Sequence, residues 1–128
     1  VIDDMSGKTI LVIDDSTTAR QLILNHLEGM KHTIIEAADG DEGLQRAENE
    51  KIDLIFSDIN MPQMNGLEMV ERLKKNPKTA GIPICMLTTE TGSEELLRAK
   101  GLGVNAFLVK PIKKEQILAV VNGLLSKR

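Results

Sequence analysis

The sequence predicts an α/β protein built on one parallel sheet with helices on both faces. Short β-branched apolar runs alternate with longer segments whose apolar residues recur at helical spacing, the pattern of repeated βα units. In addition, the run Leu54-Ile55-Phe56 ends on Ser57-Asp58 and is followed by a turn-forming Asn60-Met61-Pro62, as expected for a strand buried on both faces. At 128 residues the chain is long enough to bury one core without disulfides or a structural metal. Residues 1–6 are expected to be a disordered end and residues 7–128 the domain.

The first strand is Lys8 to Ile13, ending on Asp14-Asp15. Ser16 then caps a helix whose Ala19, Leu22, Ile23 and Leu27 form an apolar stripe, stopped near Gly29. Thr33 to Ala37 is a second, shorter strand. Asp39 and Glu42 stand at capping-box spacing, so the next helix runs from Gly40 to Asn49 and buries Leu44 and Ala47. The third strand ends on Asp58. Asn65 and Glu68 repeat the capping spacing ahead of a helix with Leu67, Val70 and Leu73, closed by Asn76-Pro77. Ile82 to Leu87 is strand four, with Pro83 near its start, where a missing donor does least harm. Ser93 caps a fourth helix containing Leu96, Leu97 and Ala99, closed by Gly101 and Gly103. Ala106 to Val109 is strand five. A last helix, Lys114 to Ser126, carries Ile117, Leu118, Val121, Leu124 and Leu125, although Ile112-Lys113 offers no capping side chain.

Right-handed crossovers between such strands place all their carboxyl ends on one edge of the sheet, where open parallel sheets bind ligands. Asp14 and Asp15 follow strand one, Asp58 strand three, Thr88 strand four and Lys110 strand five. Clustered carboxylates raise one another's pKa, and a divalent cation relieves that cost. Oxygen-only ligands suit Mg²⁺, which takes one or two carboxylates and keeps room for a phosphate oxygen. A carboxylate can attack phosphorus when cations neutralise the transferring group. Lys110 could add to that charge, while Thr88 and backbone N–H groups after Asp58 could donate hydrogen bonds.

Composition narrows the class. The formal net charge is −3, there is no Trp or Tyr, and Phe56 and Phe107 are the only aromatics of this kind, so direct nucleic-acid binding is not expected. No apolar run approaches the ~20 residues of a membrane span, and no signal peptide is visible, so membrane insertion is not expected and the cytoplasm is the expected location. Cys85, the single cysteine, reads as a buried core thiol. Asp39 reads as a cap rather than a metal ligand, and Met61, Met64 and Met69 as gap fillers. His26 and His32 read as surface residues, and Lys74-Lys75 and Lys113-Lys114 as solvated faces. Val1-Ile2-Asp3-Asp4 repeats the letters of Val12-Ile13-Asp14-Asp15, but only the second pair lies between a strand and an amphipathic helix.

The ordered set Asp14-Asp15, Asp58-Ile-Asn-Met-Pro, Met64-Asn65-Gly66, Thr88 and Lys110-Pro111 resembles the receiver domains of two-component response regulators, most closely the stand-alone chemotaxis (CheY-like) type. The resemblance runs from Gly7 to the C terminus, with Thr88 thirty and Lys110 fifty-two residues beyond Asp58. It implies a flavodoxin-like three-layer sandwich with strand order 2-1-3-4-5. It also implies that Asp58 accepts phosphate from a histidine kinase, with Mg²⁺ held by Asp15, Asp58 and the backbone carbonyl of Asn60, and by Asp14 through water. Lys110 would contact the phosphoryl group, and Lys110-Pro111 would be a cis peptide. Thr88 and Phe107 would form the switch, with Phe107 where many relatives have Tyr. Asn60, Thr89 and Glu90 would tune phosphoryl lifetime.

The protein partner would dock on the surface of the fourth helix, fifth strand and fifth helix, and a monomer is expected. The resemblance implies no enzyme beyond self-directed phosphorylation and dephosphorylation, either as a single-domain regulator or as a receiver excised from a longer protein. A Mg²⁺-dependent phosphatase with an Asp nucleophile is a rival, but Asn60 stands where those enzymes generally place a second Asp. A flavodoxin-like binder of a phosphorylated ligand is another, although no Gly-rich loop follows strand one.

Overall fold

The structure is a computed structural model that describes residues 7–89 and 94–126. Five strands and five helices alternate: β1 (Thr9–Ile13), α1 (Thr17–Leu27), β2 (Thr33–Ala37), α2 (Gly40–Asn49), β3 (Leu54–Asp58), α3 (Gly66–Lys75), β4 (Ile84–Thr88), α4 (Glu94–Gly101), β5 (Ala106–Val109) and α5 (Lys114–Leu125). The strands form one parallel sheet in the order β2-β1-β3-β4-β5. The expected first six residues, the Ser93 cap and Glu90 lie outside the described residues.

Because side chains alternate across a strand, each central strand feeds two cores. Leu11, Ile13, Ile55, Ile84 and Met86 face α2, α3 and α4, whose Leu44, Leu67, Leu73 and Ala99 complete one cluster. Ile10, Val12, Leu54, Phe56, Cys85 and Leu87 face α1 and α5, meeting Ile23, Leu27, Ile117 and Val121. The central strands β3 and β4 are buried along their whole length, which is why their sequences read as apolar runs, Leu54–Phe56 and Ile84–Leu87, with polar residues only at the carboxyl ends. Cys85 is buried as expected, and desolvation pushes its thiol up to about 12. Met61, Met64 and Met69 are all buried in the first cluster, as gap fillers.

Several boundaries and burials differ from the sequence reading. Strand four runs Ile84–Thr88 rather than Ile82–Leu87, because Pro83 contributes only its carbonyl, which accepts from Ile55 N at 3.0 Å. β1 begins at Thr9 and α5 ends at Leu125. Leu22 is 44% exposed and Leu97 67%, so α1 buries Ile23 and Leu27, and α4 buries Ala99. Leu118 and Leu124 are half-buried. The histidines are not plain surface residues: both are half-buried, and His26 Nε2 is shielded from solvent without a hydrogen-bond partner. Lys74 is likewise half-buried and donates to the Ala80 carbonyl at 3.2 Å.

The caps explain where helices begin. Asn65 Oδ1 accepts from Glu68 N, and Glu68 reaches back to Asn65 N, a complete capping box. Asp39 accepts from Glu42 N at 2.8 Å, but the Glu42 carboxylate returns to Ala38 N instead of the cap residue. At α5 the uncapped start is held by Gln116, whose side chain accepts from Lys113 N at 2.9 Å.

Candidate functional site

The parallel register delivers the chemistry to one edge. Beyond the last β1 pair, Asp14 N donates to the Ala37 carbonyl, which carries the chain over the sheet's carboxyl edge. Asp58 closes β3 opposite Leu87, and Thr88 closes β4 opposite Val109. Lys110 N then donates to the Thr88 carbonyl at 2.7 Å, which places the lysine beside β4. Asp14, Asp58 and Thr88 are buried, whereas Asp15 is exposed at the mouth.

Asp14, Asp15 and Asp58 each present a carboxylate oxygen within 4.8 Å of the other two. Lys110 Nζ lies 3.0 Å from Asp14 Oδ2 and 3.5 Å from Asp58 Oδ1. One lysine against three acids leaves a deficit of positive charge. Burial is the main force raising the Asp58 pKa above its usual value, Lys110 opposes it, and the charges of Asp14 and Asp15 add to the rise. For Lys110, burial acts downward, but its hydrogen bond to Asp14 and the charges of Asp58 and Asp14 prevail and hold its ammonium above the ordinary lysine value. Three hard oxygen donors with an unbalanced negative charge fit a small divalent cation.

Around this centre, Asn60 and Thr89 are exposed in the turns after β3 and β4. The Lys110–Pro111 peptide is cis. Phe107 pairs with Met86, so Phe107 and Thr88 lie on the same sheet face, and the half-buried ring packs against the core beneath α2, α3 and α4. Ser57 Oγ donates to the Asp58 carbonyl at 3.0 Å.

Two supporting residues were not evident from spacing. Gly66 begins α3 with its N–H on the Ile59 carbonyl at 2.8 Å, and a Cβ there would lie 2.3 Å from the Asp58 carbonyl oxygen. Asp53, buried just before β3, accepts from Thr9 N at 2.8 Å and ties the entry of β1 to β3. Gly66 was visible as part of the Met64-Asn65-Gly66 motif, but its steric reason was not. Asp53 carried no signal, because its partner is defined only once β1 and β3 are neighbours.

Comparison with known proteins agrees with this geometry. The chain is 38% identical over 123 residues to the chemotaxis protein CheY homolog of Campylobacter jejuni, covering 89% of this chain and 95% of that one. It is 32% identical over 117 residues to protein PilH of Pseudomonas aeruginosa, covering 91% and 97%. The solved structure of Vibrio cholerae chemotaxis protein CheY4 matches with a TM-score of 0.86 at 35% identity, covering 93% of this chain and 99% of that one. Residues 10–122 match the response regulator receiver domain, and with these CheY-like relatives at its side the chain belongs to that family.

Proposed function

We propose that this receiver domain is a phosphorylation-driven signalling switch that takes phosphate from a histidine kinase onto Asp58. The observation that carries the reading is the approach of Asp14, Asp15 and Asp58 within 4.8 Å of one another, with Lys110 Nζ 3.5 Å from Asp58. Asp15, Asp58 and the Asn60 carbonyl would hold Mg²⁺, with Asp14 acting through water. When bound, the ion supplies the positive charge that phosphoryl transfer requires.

An Asp58 carboxylate oxygen bonds to phosphorus as the P–N bond to the donor imidazole breaks, and the electron pair leaves on that nitrogen. Lys110 neutralises charge on the transferred group, and Thr88 donates to it. The phosphoryl group adds roughly −1.5 to −2 charges, enough to bias Thr88 and Phe107 on their shared face. That bias changes the partner preference of the α4-β5-α5 surface, where Leu97 and Val109 already expose apolar area. The protein acts only on its own phosphorylation state and is not otherwise an enzyme. The CheY homolog and CheY4 relatives favour a chemotaxis-type role.

A phosphodonor assay tests the proposal. Wild type should take up one hydroxylamine-sensitive phosphate per chain in the presence of Mg²⁺, and Asp58→Asn none. Sustained turnover of an external phosphate ester would instead indicate a phosphatase, and an unlabelled wild type would indicate a non-covalent ligand binder. The exposed Thr89 narrows the path of attacking water, so Thr89→Ala should speed hydrolysis of the phosphorylated protein several-fold, read as label decay after donor removal. Unchanged or slower decay would refute that role for Thr89.

A further inference from the structure

Arg20, on α1, is a largely enclosed basic residue. Its side chain is only 13% exposed, although α1 could have turned it to solvent. The guanidinium is divided among three acceptors on three segments: Nη1 donates to the Asp14 backbone carbonyl, Nε to Glu36 Oε1 on β2 at 3.0 Å, and Nη2 to Thr17 Oγ1 at 3.3 Å. The Asp14 N–H faces β2, where it donates to the Ala37 carbonyl, and the Asp14 carbonyl just past the end of β1 accepts from Arg20. The same turn is closed from within by Ser16 N on Asp14 Oδ1 at 2.9 Å and by Arg20 N on the Ser16 carbonyl at 3.0 Å.

We infer that Arg20, oriented by Glu36, is a positioning residue for the divalent cation site: it fixes the Asp14-Asp15 turn so that both carboxylates face Asp58. This rests on the reading of that cluster as the Mg²⁺ site. Charge alone predicts the opposite effect, since a cation beside three acids repels a second cation. Glu36 offsets the Arg20 charge and leaves its hydrogen-bonding fork in place. The sign of the mutant effect therefore separates a positioning role from a purely electrostatic one. Lysine retains the charge but lacks the planar fork that spans Asp14, Glu36 and Thr17.

The test is calorimetric titration of the intact protein with Mg²⁺ alone, alongside metal-free thermal melts. Removing a group that orients a metal ligand typically weakens affinity about 10–100-fold. Arg20→Ala should raise the Mg²⁺ Kd roughly tenfold, Arg20→Lys should not restore it, and Glu36→Gln should weaken binding less. Phosphorylation of Arg20→Ala should recover at saturating Mg²⁺, and its metal-free melt should not account for the affinity loss. Wild-type or tighter affinity in Arg20→Ala overturns the inference, and Arg20→Lys decides in the same way should the alanine variant not fold. Absence of Mg²⁺ binding in wild type would overturn the cation site itself, and the inference with it, an outcome distinct from an unaffected variant.

Discussion

Lys110→Met is expected to destabilise the metal-free protein by about 2–3 kcal/mol, measured as a shift of the urea midpoint at constant slope. Asp14 is 1% exposed, and Lys110 Nζ, 3.0 Å away, is its charged partner. Methionine nearly preserves the volume of the lysine stem but leaves Asp14 beside Asp15 and Asp58 with no neutralising ammonium. Breaking a fully buried pair costs roughly 3–5 kcal/mol. The lower figure applies because the Lys110 side chain is 26% exposed and part of its charge is already screened by water. Mg²⁺ should stabilise the variant more than wild type, because the ion supplies charge at the same acids.

The pH dependence of this effect has two limits. Lys110 has a folded pKa above its unfolded one, so its contribution is complete below the unfolded lysine value of about 10.4 and is lost as pH rises through the folded value. Asp58 is the less usual carboxylate, because burial raises its folded pKa. Its protonated form is favoured in the fold, so its favourable contribution is present below the unfolded value of about 3.9 and disappears as pH rises through the folded value. Wild type and Lys110→Met should therefore differ most between these limits and converge in strong acid, where the cluster is neutral, and in strong alkali, where the lysine is. A difference that persisted unchanged into strong acid would mean lost packing rather than unbalanced charge.

The frame of the fold was legible because central parallel strands leave an unmistakable trace: β3 and β4 are buried residue by residue, and their sequences are apolar up to the polar residues at their carboxyl ends. The carboxyl-edge residues Asp14, Asp58, Thr88 and Lys110 were legible for the same reason, since each directly follows such a run or ends it. What failed was finer. Helical spacing put Leu22 in the apolar stripe of α1, yet it is 44% exposed, because spacing defines a face without saying how wide a neighbour covers it. Gln116 was readable in principle as half of a capping box, although Lys113 cannot supply the other half. Arg20 was not readable at all: its partner Glu36 is sixteen residues away, on a strand that becomes its neighbour only when β2 takes the sheet edge.

Gly66→Ala is expected to cost about 2–3 kcal/mol, and to impair Asp58 phosphorylation even in the fraction that stays folded. A methyl group there would sit 2.3 Å from the Asp58 carbonyl oxygen, 2.8 Å from Met86 Cε and 3.0 Å from Ile59 Cα. The methionine end can rotate away, but the Asp58 and Ile59 backbone cannot yield without moving Asp58 itself. The N-terminus of α3 is held in this contact by its capping box and by the Gly66 N–H on the Ile59 carbonyl at 2.8 Å, so the strain falls on the β3 end. Gly123, inside α5, is the matched control: nothing lies within 4 Å of an added Cβ, so Gly123→Ala should stabilise by about 0.5–1 kcal/mol through helix propensity. Urea unfolding checks both signs, and the phosphodonor assay separates them further, since only Gly66→Ala should slow labelling under conditions where both variants are folded. Equal labelling rates would mean that the β3–α3 contact serves the fold alone and leaves Asp58 free to keep its place.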